Sequence, residues 1–577
     1  MSETVHAAST DALSTRIVQL EAQLSAERAA RAASEALAEK LQRDVEILRG
    51  SHERLRQELE LLRRRIFVAK AERVDSRQLE LEFAEKLAAL DELARQIPEP
   101  SSPPAPEGDA KKGKRSPSGR RDLRGLKLPE VRIEIADPVL EALVAEGKVV
   151  RVGFEESCKL GWQRGGQRKI IIARATYRTC DDDPMFETAP VPRELLPRAL
   201  AAPSMLAHIV HEKFGRGMPL YRLETGFLRD GVPLDRGTMS RWLEELGGVV
   251  GATIIESARL EALTTAFCIA TDATGVAIQP ERTSEKKRQA CRRGHFFVQI
   301  ADRDHVFFEY TPKETSVAVA EMFRGFGGYV QADAKSVFDI LFRPVPTDED
   351  GDGPLGVATE VGCWAHCRRK FWEAAVATKS ASAREALYRI GRLYDLEAMW
   401  RKKPPDEITR LRNQLSRPEI GAFFAWADAQ HEQVRGQRGL LRTAFGYAVR
   451  QKEALMRFLD DGQLSIDNNA SERELRQIAL GRKAWLFVGS DDHAASAANL
   501  LSLIASARLH RLDPEEYLRD VFRVLPHWPK GRYLELAPKY WAATRARLDP
   551  RQLGAELGPL TVPDPITPPA EEQAATS

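Results

Sequence analysis

The order of apolar runs between residues 265 and 375 narrows the choice of fold more than any other feature. Ala266 to Ile278 reads as a strand carrying Asp272. Phe296–Ala301 and Val306–Tyr310 read as two more, joined by the polar turn Asp302–His305. Val317 to Phe323 has helical spacing, and Tyr329–Ala332 is a short strand ending at Asp333. Val337 to Phe342 is helical again. After a loop rich in proline and acids, Thr359–Trp364 gives a last strand, and a helix runs on from about Ala365. The order is β-β-β-α-β-α-β-α.

That is the order of a ribonuclease H topology, in which the first strand lies centrally and the fourth pairs beside it. Asp272 and Asp333 are then expected to be neighbours in space although 61 residues separate them. A third acid stands in the stretch Ser465 to Asp491. Asp467-Asn468-Asn469 is a polar turn, and Asn469 or a neighbour suits a helix N-cap. Leu475, Ile478 and Ala479 follow at helical spacing. Glu472 falls in the first turn, with Arg473, Arg476 and Arg482 behind it. One reading is an ordinary capped helix, with Glu472 answering the helix dipole. The other is a metal-binding carboxylate beside a string of cations that hold phosphates. The positions of Asp272 and Asp333 favour the second.

Two-metal phosphoryl transfer needs carboxylates that flank and bridge divalent ions about 3.5–4 Å apart. Hard oxygen ligands select Mg2+ or Mn2+. A structural zinc site needs four closely spaced ligands. Cys158 and Cys180 have no paired Cys-x-x-Cys knuckle, so no zinc is expected there. Cys363, His366 and Cys367 are close in sequence but lack a fourth ligand. His366, Arg368, Arg369 and Lys370 open the helix after the last strand and suit DNA phosphates, as do Arg482 and Lys483. Trp485, Leu486 and Phe487 are expected to be buried.

The fold class expected is multidomain, α/β plus α. Over 11–95 there is no proline, and Leu41, Val45, Leu48, His52, Leu55, Leu59, Leu62 and Ile66 alternate steps of four and three. That is a coiled-coil seam broken only by His52. Self-association as a dimer or higher is the expectation, a long helix packed on its own domain the alternative. The linker over 96–130 carries five prolines between Pro98 and Pro106. From Lys111 to Lys127 it holds eight basic residues and one acid. It reads equally as a phosphate-contacting arm or a solvated tether.

Residues 131–190 read as a small α/β domain, with a helix from Val139 to Val144 and strands Val149–Phe154 and Lys169–Tyr177. Residues 191–250 hold helices at Leu206 to Phe214, Pro219 to Phe227 and Asp235 to Leu246, a helix-turn-helix spacing. Arg236, Thr238 and Arg241 would be exposed toward DNA while Met239, Trp242 and Leu243 pack inward. Many such hairpins bind no DNA. The catalytic domain is assigned 262–380 and 462–510, split by a helical insertion over 381–461. A helical segment over 511–560 and a disordered tail over 561–577 complete the chain.

Net charge is only +2, so any DNA-binding charge is local. Six scattered cysteines and the polar start MSETVHAAST favour a reducing cytoplasm. The apolar run Ala494 to Ala507 is too short to span a bilayer and reads as a buried helix, so no membrane partner is expected.

Several blocks carry a family resemblance. They are LRRRIFVAKAERVD, MPLYRLETGFLRDGVPLDRGTMSRWLEE, IATDATGVAIQ, YVQADAKSVFDIL, GCWAHCRRKFWEA, LYDLEAMW and DNNASERELRQIALGRKAWLFVGSD. In that order, from about residue 55 to 510, the chain resembles transposases of the insertion-sequence sixty-six family, members of the DDE group. The resemblance implies that Asp272, Asp333 and Glu472 are the catalytic and metal-binding triad, holding two Mg2+ or Mn2+ ions. It implies double-stranded DNA as partner, both the terminal inverted repeats of an element and its target, in the nucleoid. Accessory proteins of the same element are possible partners. Residues 131–190 then stand where the family carries a zinc knuckle, in degenerate form. The rival readings are a ribonuclease H-like nuclease that cuts without joining, and a catalytically inactive DNA-binding relic.

The heptad run generates a first prediction. Replacing Leu55 and Leu59 together by Asp puts charges into the seam and should lower the mass of the protein in solution, read by light scattering. An unchanged mass removes this seam as the oligomer contact.

Overall fold

The computed structural model describes residues 123–565, apart from 164, 181–183, 281–289 and 344–356, together with Ser25. The expected coiled coil, the linker up to 122 and the tail from 566 lie outside the described residues. The chain divides into two units, 1–119 and 120–577.

The second unit opens with β1 (Glu130–Ile135), α1 (Pro138–Ala145), β2 (Val149–Gln163), β3 (Gly166–Thr179) and β4 (Phe186–Thr188). β3 pairs antiparallel with β2, and with β1 (parallel) and β4 on its other side. β2 and β3 run longer than their apolar cores suggest. Lys159 interrupts the apolar pattern of β2 but is buried 2.5 Å from Glu194, so the strand continues through it.

Four helices follow: α2 (Pro203–Val210), α3 (Leu220–Arg229), α4 (Arg236–Val250) and α5 (Glu256–Thr265). The Asp235 carboxylate caps α4, accepting from the Thr238 amide at 2.9 Å. Met239, Trp242 and Leu243 are buried, as their spacing predicts, against Leu223 and Phe227 of α3.

The central sheet contains β5 (Cys268–Ile278), β6 (Arg292–Ala301), β7 (His305–Thr311), β8 (Tyr329–Gln331) and β9 (Thr359–Val361). Its order is β7-β6-β5-β8-β9. The first strand is therefore central and the fourth lies beside it, as the element order predicts. β5, β6 and β7 are antiparallel neighbours, whereas β8 runs parallel to β5, and β9 to β8. α6 (Ser316–Met322) and a 3₁₀ turn over Ser336–Phe342 make the crossovers. Phe297, Phe307, Val319 and Phe338 fill one face of the sheet, and Val276, Phe296, Val298 and Phe308 fill the other.

Between β9 and the helix of Glu472 comes a helical bundle: α7 (Trp364–Thr378), α8 (Ala381–Trp400), α9 (Pro405–Leu411), α10 (Arg417–Val434), α11 (Leu440–Arg450) and α12 (Lys452–Met456). Its core is aromatic, with edge-to-face contacts such as Trp364 on Phe423 at 5.4 Å and Phe371 on Phe445 at 5.0 Å. Arg412 is buried. Its guanidinium donates to both Glu397 oxygens, at 2.9 and 2.7 Å, and to the carbonyls of Phe458, Asp461 and Leu464.

α13 (Asn469–Trp485) and α14 (Asp491–Leu509) return to the sheet, followed by α15 (Pro514–Val524), α16 (Pro538–Ala546) and α17 (Pro550–Gly554). α14 is the buried helix expected from its alanine- and serine-rich run. It also finishes the sheet edge. Ser506 Oγ accepts from the Val306 amide at 2.9 Å, and Ser502 Oγ from the Phe308 amide at 2.7 Å. Two strand residues advance about 6.8 Å, and four helical residues about 6 Å, so hydroxyls spaced i, i+4 can meet every second amide of β7. On its other side α14 meets α4 at Gly247, where a Cβ would run into Ser496.

The tail reading needs a correction at its start. Thr561 and Pro563 are held to the body: the Gln552 side chain accepts from the Thr561 amide at 2.7 Å, and Arg532 donates to the Pro563 carbonyl at 2.9 Å. Proline-rich composition hid these bonds. Among the described residues no helix is long and apolar enough to cross a membrane.

Glu261 ties α5 to β7 and α16. His305 Nε2 stands 2.7 Å from its carboxylate, Lys539 Nζ 3.1 Å, and the Tyr540 hydroxyl donates to it. Burial alone would raise its pKa. The bonds from His305, Tyr540 and Lys539 outweigh that and bring it down from 4.5 to about 2. A carboxylate depressed on folding contributes stability that is complete above its unfolded pKa and lost as pH falls through the folded one. Glu261→Gln should therefore melt below the parent at pH 7, and the gap in Tm should close as pH falls from about 4.5 toward 2. A gap that is constant over that range would refute the network's charge dependence.

Candidate active site

Asp272 and Asp333 meet because of strand register. In the parallel pair β5–β8, Ala270 lies opposite Gln331. Asp272 lies within β5 and Asp333 just past the end of β8, and each follows that pair by two residues. Their side chains are 13% and 9% exposed. Burial raises the pKa of Asp272. The Ala273 amide, donating to Asp272 Oδ1 at 2.7 Å, works against this, and the Asp333 charge adds to it.

A lysine occupies the gap between them. Lys335 Nζ lies 3.2 Å from Asp333 Oδ2, 3.9 Å from Asp272 Oδ1 and 3.4 Å from Glu314 Oε1. Burial works against its charge, but Asp333, Glu314 and Asp272 prevail and raise its pKa. Glu314 also lies 3.8 Å from His295 Nε2. The backbone makes this arrangement possible at Ala334, whose φ of 57° is left-handed. The Lys335 amide just after it donates to Asp333 Oδ1 at 3.3 Å.

Glu472 sits in the first turn of α13, with its side chain 41% exposed. Asn468, the N-cap residue, anchors that turn to the central strand: its Nδ2 donates to the Thr271 carbonyl at 2.7 Å. Glu472 faces His366 Nε2 at 3.6 Å, and His366 lies within electrostatic reach of Asp272. The structure thus joins Asp272 and Asp333 through the Lys335 ammonium and sets Glu472 against His366. Among the described residues, no three acids, histidines or cysteines form a group able to hold a metal ion. Glu474, two residues along α13, feels Arg508 and Arg473 instead.

The expected DNA-contacting residues divide into exposed and engaged ones. Arg241, Arg368, Arg369, Arg473, Arg476 and Lys483 are exposed, as is Arg236, with its Nε 3.9 Å from Glu224. Arg368 and Arg369 line a cavity of about 570 Å³ with Trp372 and Asn469. Arg473 and Asn469 line a larger cleft of about 1200 Å³ with Arg303, Arg401, Lys402 and Lys403. Thr238 is half-buried, and its hydroxyl donates to Asp235 at 2.9 Å. Arg482 is half-buried and donates to the Gly275 carbonyl, bracing α13 on β5. His366 is half-buried beside Glu472.

Leu486 and Phe487 correct the expectation of burial: they are 68% and 42% exposed. Leu486 takes a φ of 63° just after α13, which turns the chain outward. Trp485 is half-buried beneath Lys213, whose ammonium lies 5.1 Å from the ring centroid.

The residues missed from sequence are Lys335, Glu314, His295 and the run Arg401 to Lys403. The first had a signal, a cation two residues beyond Asp333. The run had one too, three cations before Pro404-Pro405. Glu314 and His295 had none, since only the fold brings them to Lys335.

A mixed sheet with two carboxylates on and just past adjacent central strands, beside a helix carrying a third acid, defines the site. The sequence model described as Transposase IS66 family matches residues 198–496, and one described as IS66 C-terminal element matches 502–538. The chain belongs to the IS66 family of transposases. It is similar to three Sinorhizobium fredii proteins, the uncharacterized proteins y4qI, y4jD and y4hP. Protein y4qI is 27% identical over 470 residues, 81% of this chain and 84% of its own. Protein y4jD is 27% identical over 530 residues, 88% and 98% respectively. Protein y4hP is 28% identical over 400 residues, 66% and 69% respectively.

Ala334 generates a prediction for the site. Ala334→Gly should be tolerated, changing stability by less than about 1 kcal/mol, because glycine adopts positive φ freely. Ala334→Val should lower the melting temperature, since a β-branched residue is strained there. Equal melting of both variants would mean that the turn carries no strain.

Proposed function

We propose that this chain is a DDE transposase with a ribonuclease H-like catalytic domain, acting on double-stranded DNA at the ends of an insertion element and at its target. The observation that carries the reading is that Asp272 of β5 and Asp333, just past the end of the neighbouring β8, meet at one ammonium. The donor chemistry fits a hard divalent cation: two largely buried carboxylates face one cationic group, with a third acid at a half-exposed helix start. Asp272 and Asp333 would hold one ion, and Glu472 would complete a second. Mg2+ or Mn2+ bound there would polarise the phosphate and lower the pKa of the attacking oxygen.

The chain's own groups have separable roles. Asp272 and Asp333 concentrate negative charge at one point of the sheet. Arg368, Arg369, Arg473, Arg476 and Lys483 present exposed cations around it, suited to holding DNA phosphates. Arg236 and Arg241, at the start of α4, suit contacts to the element end. Thr238 and Arg482 serve geometry instead, through Asp235 and Gly275.

In cleavage, a water oxygen bonds to phosphorus, the bond to the 3′-oxygen breaks, and that oxygen leaves as a hydroxyl. In joining, the 3′-hydroxyl oxygen bonds to a target phosphorus, and the target's own 3′-oxygen departs with a proton. One phosphodiester is exchanged for another, so neither ATP nor a covalent enzyme intermediate is needed.

Asp333→Asn should abolish cleavage and joining of element-end DNA in Mg2+ while sparing DNA binding, measured by gel shift. Cleavage that survives would remove Asp333 from the site. Parent protein that cuts but cannot join pre-cut ends would be a nuclease rather than a transposase.

A further inference from the structure

We infer that Lys335 is a tethered counter-ion that competes with a divalent cation for Asp272 and Asp333, and is displaced when that cation binds. This rests on reading the two aspartates as metal ligands.

Three carboxylates converge on the one ammonium, at 3.2, 3.4 and 3.9 Å. Like charges so close repel, and a fold holds them together only when something offsets the repulsion. Lys335 does this from within the chain, and the left-handed Ala334 places it there two residues after Asp333. A lysine ammonium and a divalent cation need the same oxygens, so occupancy by one excludes the other. Three acids against one ammonium leave net negative charge, so the site still attracts cations. The Lys335 side chain is 41% exposed, which leaves it a way out. Glu314, held between Lys335 and His295, offers the ammonium a partner after it leaves the aspartates. Lys335 is thus a positioning residue: it keeps the acids converged before metal arrives, at a cost in apparent metal affinity.

The test uses the full chain, with Mn2+ as probe. Affinity is read by electron paramagnetic resonance and stability by thermal unfolding, for the parent, Lys335→Met, Lys335→Arg and Asp333→Asn. Lys335→Met should bind Mn2+ about tenfold more tightly, since it removes a competing charge at contact distance. Without metal it should melt below the parent, and saturating Mn2+ should raise its Tm more than the parent's. Lys335→Arg, which keeps the charge, should stay close to the parent in both. Should Lys335→Met not fold without metal, folding it in Mn2+ should rescue it, and failure of that rescue counts against the proposal. Unchanged affinity and stability in Lys335→Met, with Mn2+ binding lost in Asp333→Asn, would overturn the role of Lys335 and leave the metal site standing. Weaker Mn2+ binding in Lys335→Met would overturn it too, since the lysine would then support the metal. Asp333→Asn binding Mn2+ as well as the parent would defeat the metal reading and this proposal together.

Discussion

Two carboxylates buried side by side cannot both stay ionised without a cation between or beside them. Much of this fold follows from that constraint. The parallel register of β5 and β8 brings Asp272 and the residue just past β8, Asp333, near one another, with side chains only 13% and 9% exposed. The charge is met at once by Lys335, and further out by His366. Glu472 is held at the rim, where solvent lowers the penalty of adding another negative group. The site is thus graded, with its most buried acids paired at the strands and its most exposed one on a helix start.

That grading needs a stiff sheet, and the stiffness comes from an unusual edge. β7 would be an open edge strand, a row of amides with no partner. α14 closes it with two serine hydroxyls while its alanines pack against the face of the sheet. The same helix receives α4 through Gly247. One small-residue helix therefore fixes both the sheet that carries the acids and the helix that presents Arg236 and Arg241.

The strands were legible in the sequence from apolar runs and turn residues, and their order in the sheet, with Asp272 near Asp333, followed from matching the element order to a known topology. The buried character of α14 was legible from its run of small apolar residues. What partner each polar side chain takes was less so. Arg482 and Lys483 look alike in sequence, yet one braces the Gly275 carbonyl and the other faces water. Leu486 follows an apolar tryptophan, yet a positive φ turns it outward. Lys335 is tied to Asp333 across Ala334, a residue whose composition gives no hint of left-handed geometry. Periodicity averages over a face, whereas these outcomes turn on single backbone torsions or on partners more than a hundred residues away. Glu472 is the clearest case: its place in the first helical turn and the family resemblance singled it out, but only the fold shows it turned toward His366.

The helical bundle, which takes in α7 ahead of the insertion expected over 381–461, leaves and rejoins the sheet through one seam. The Trp364 amide, at its start, donates to the Ile466 carbonyl at its end at 3.1 Å. Gln331 Nε2 of β8 binds the Ser465 carbonyl at 2.8 Å, and the Asn468 amide reaches Cys363 Sγ at 3.2 Å. Departure and return are thus clasped together, independently of the hundred or so residues between them. The 139-residue gap from Asp333 to Glu472 therefore says nothing about their separation in space. It also makes the bundle a separable part of the chain: its length does not enter the geometry that places the acids. A change of length or packing within the bundle is then confined to the bundle, because the clasp rather than the intervening chain sets where α13 begins.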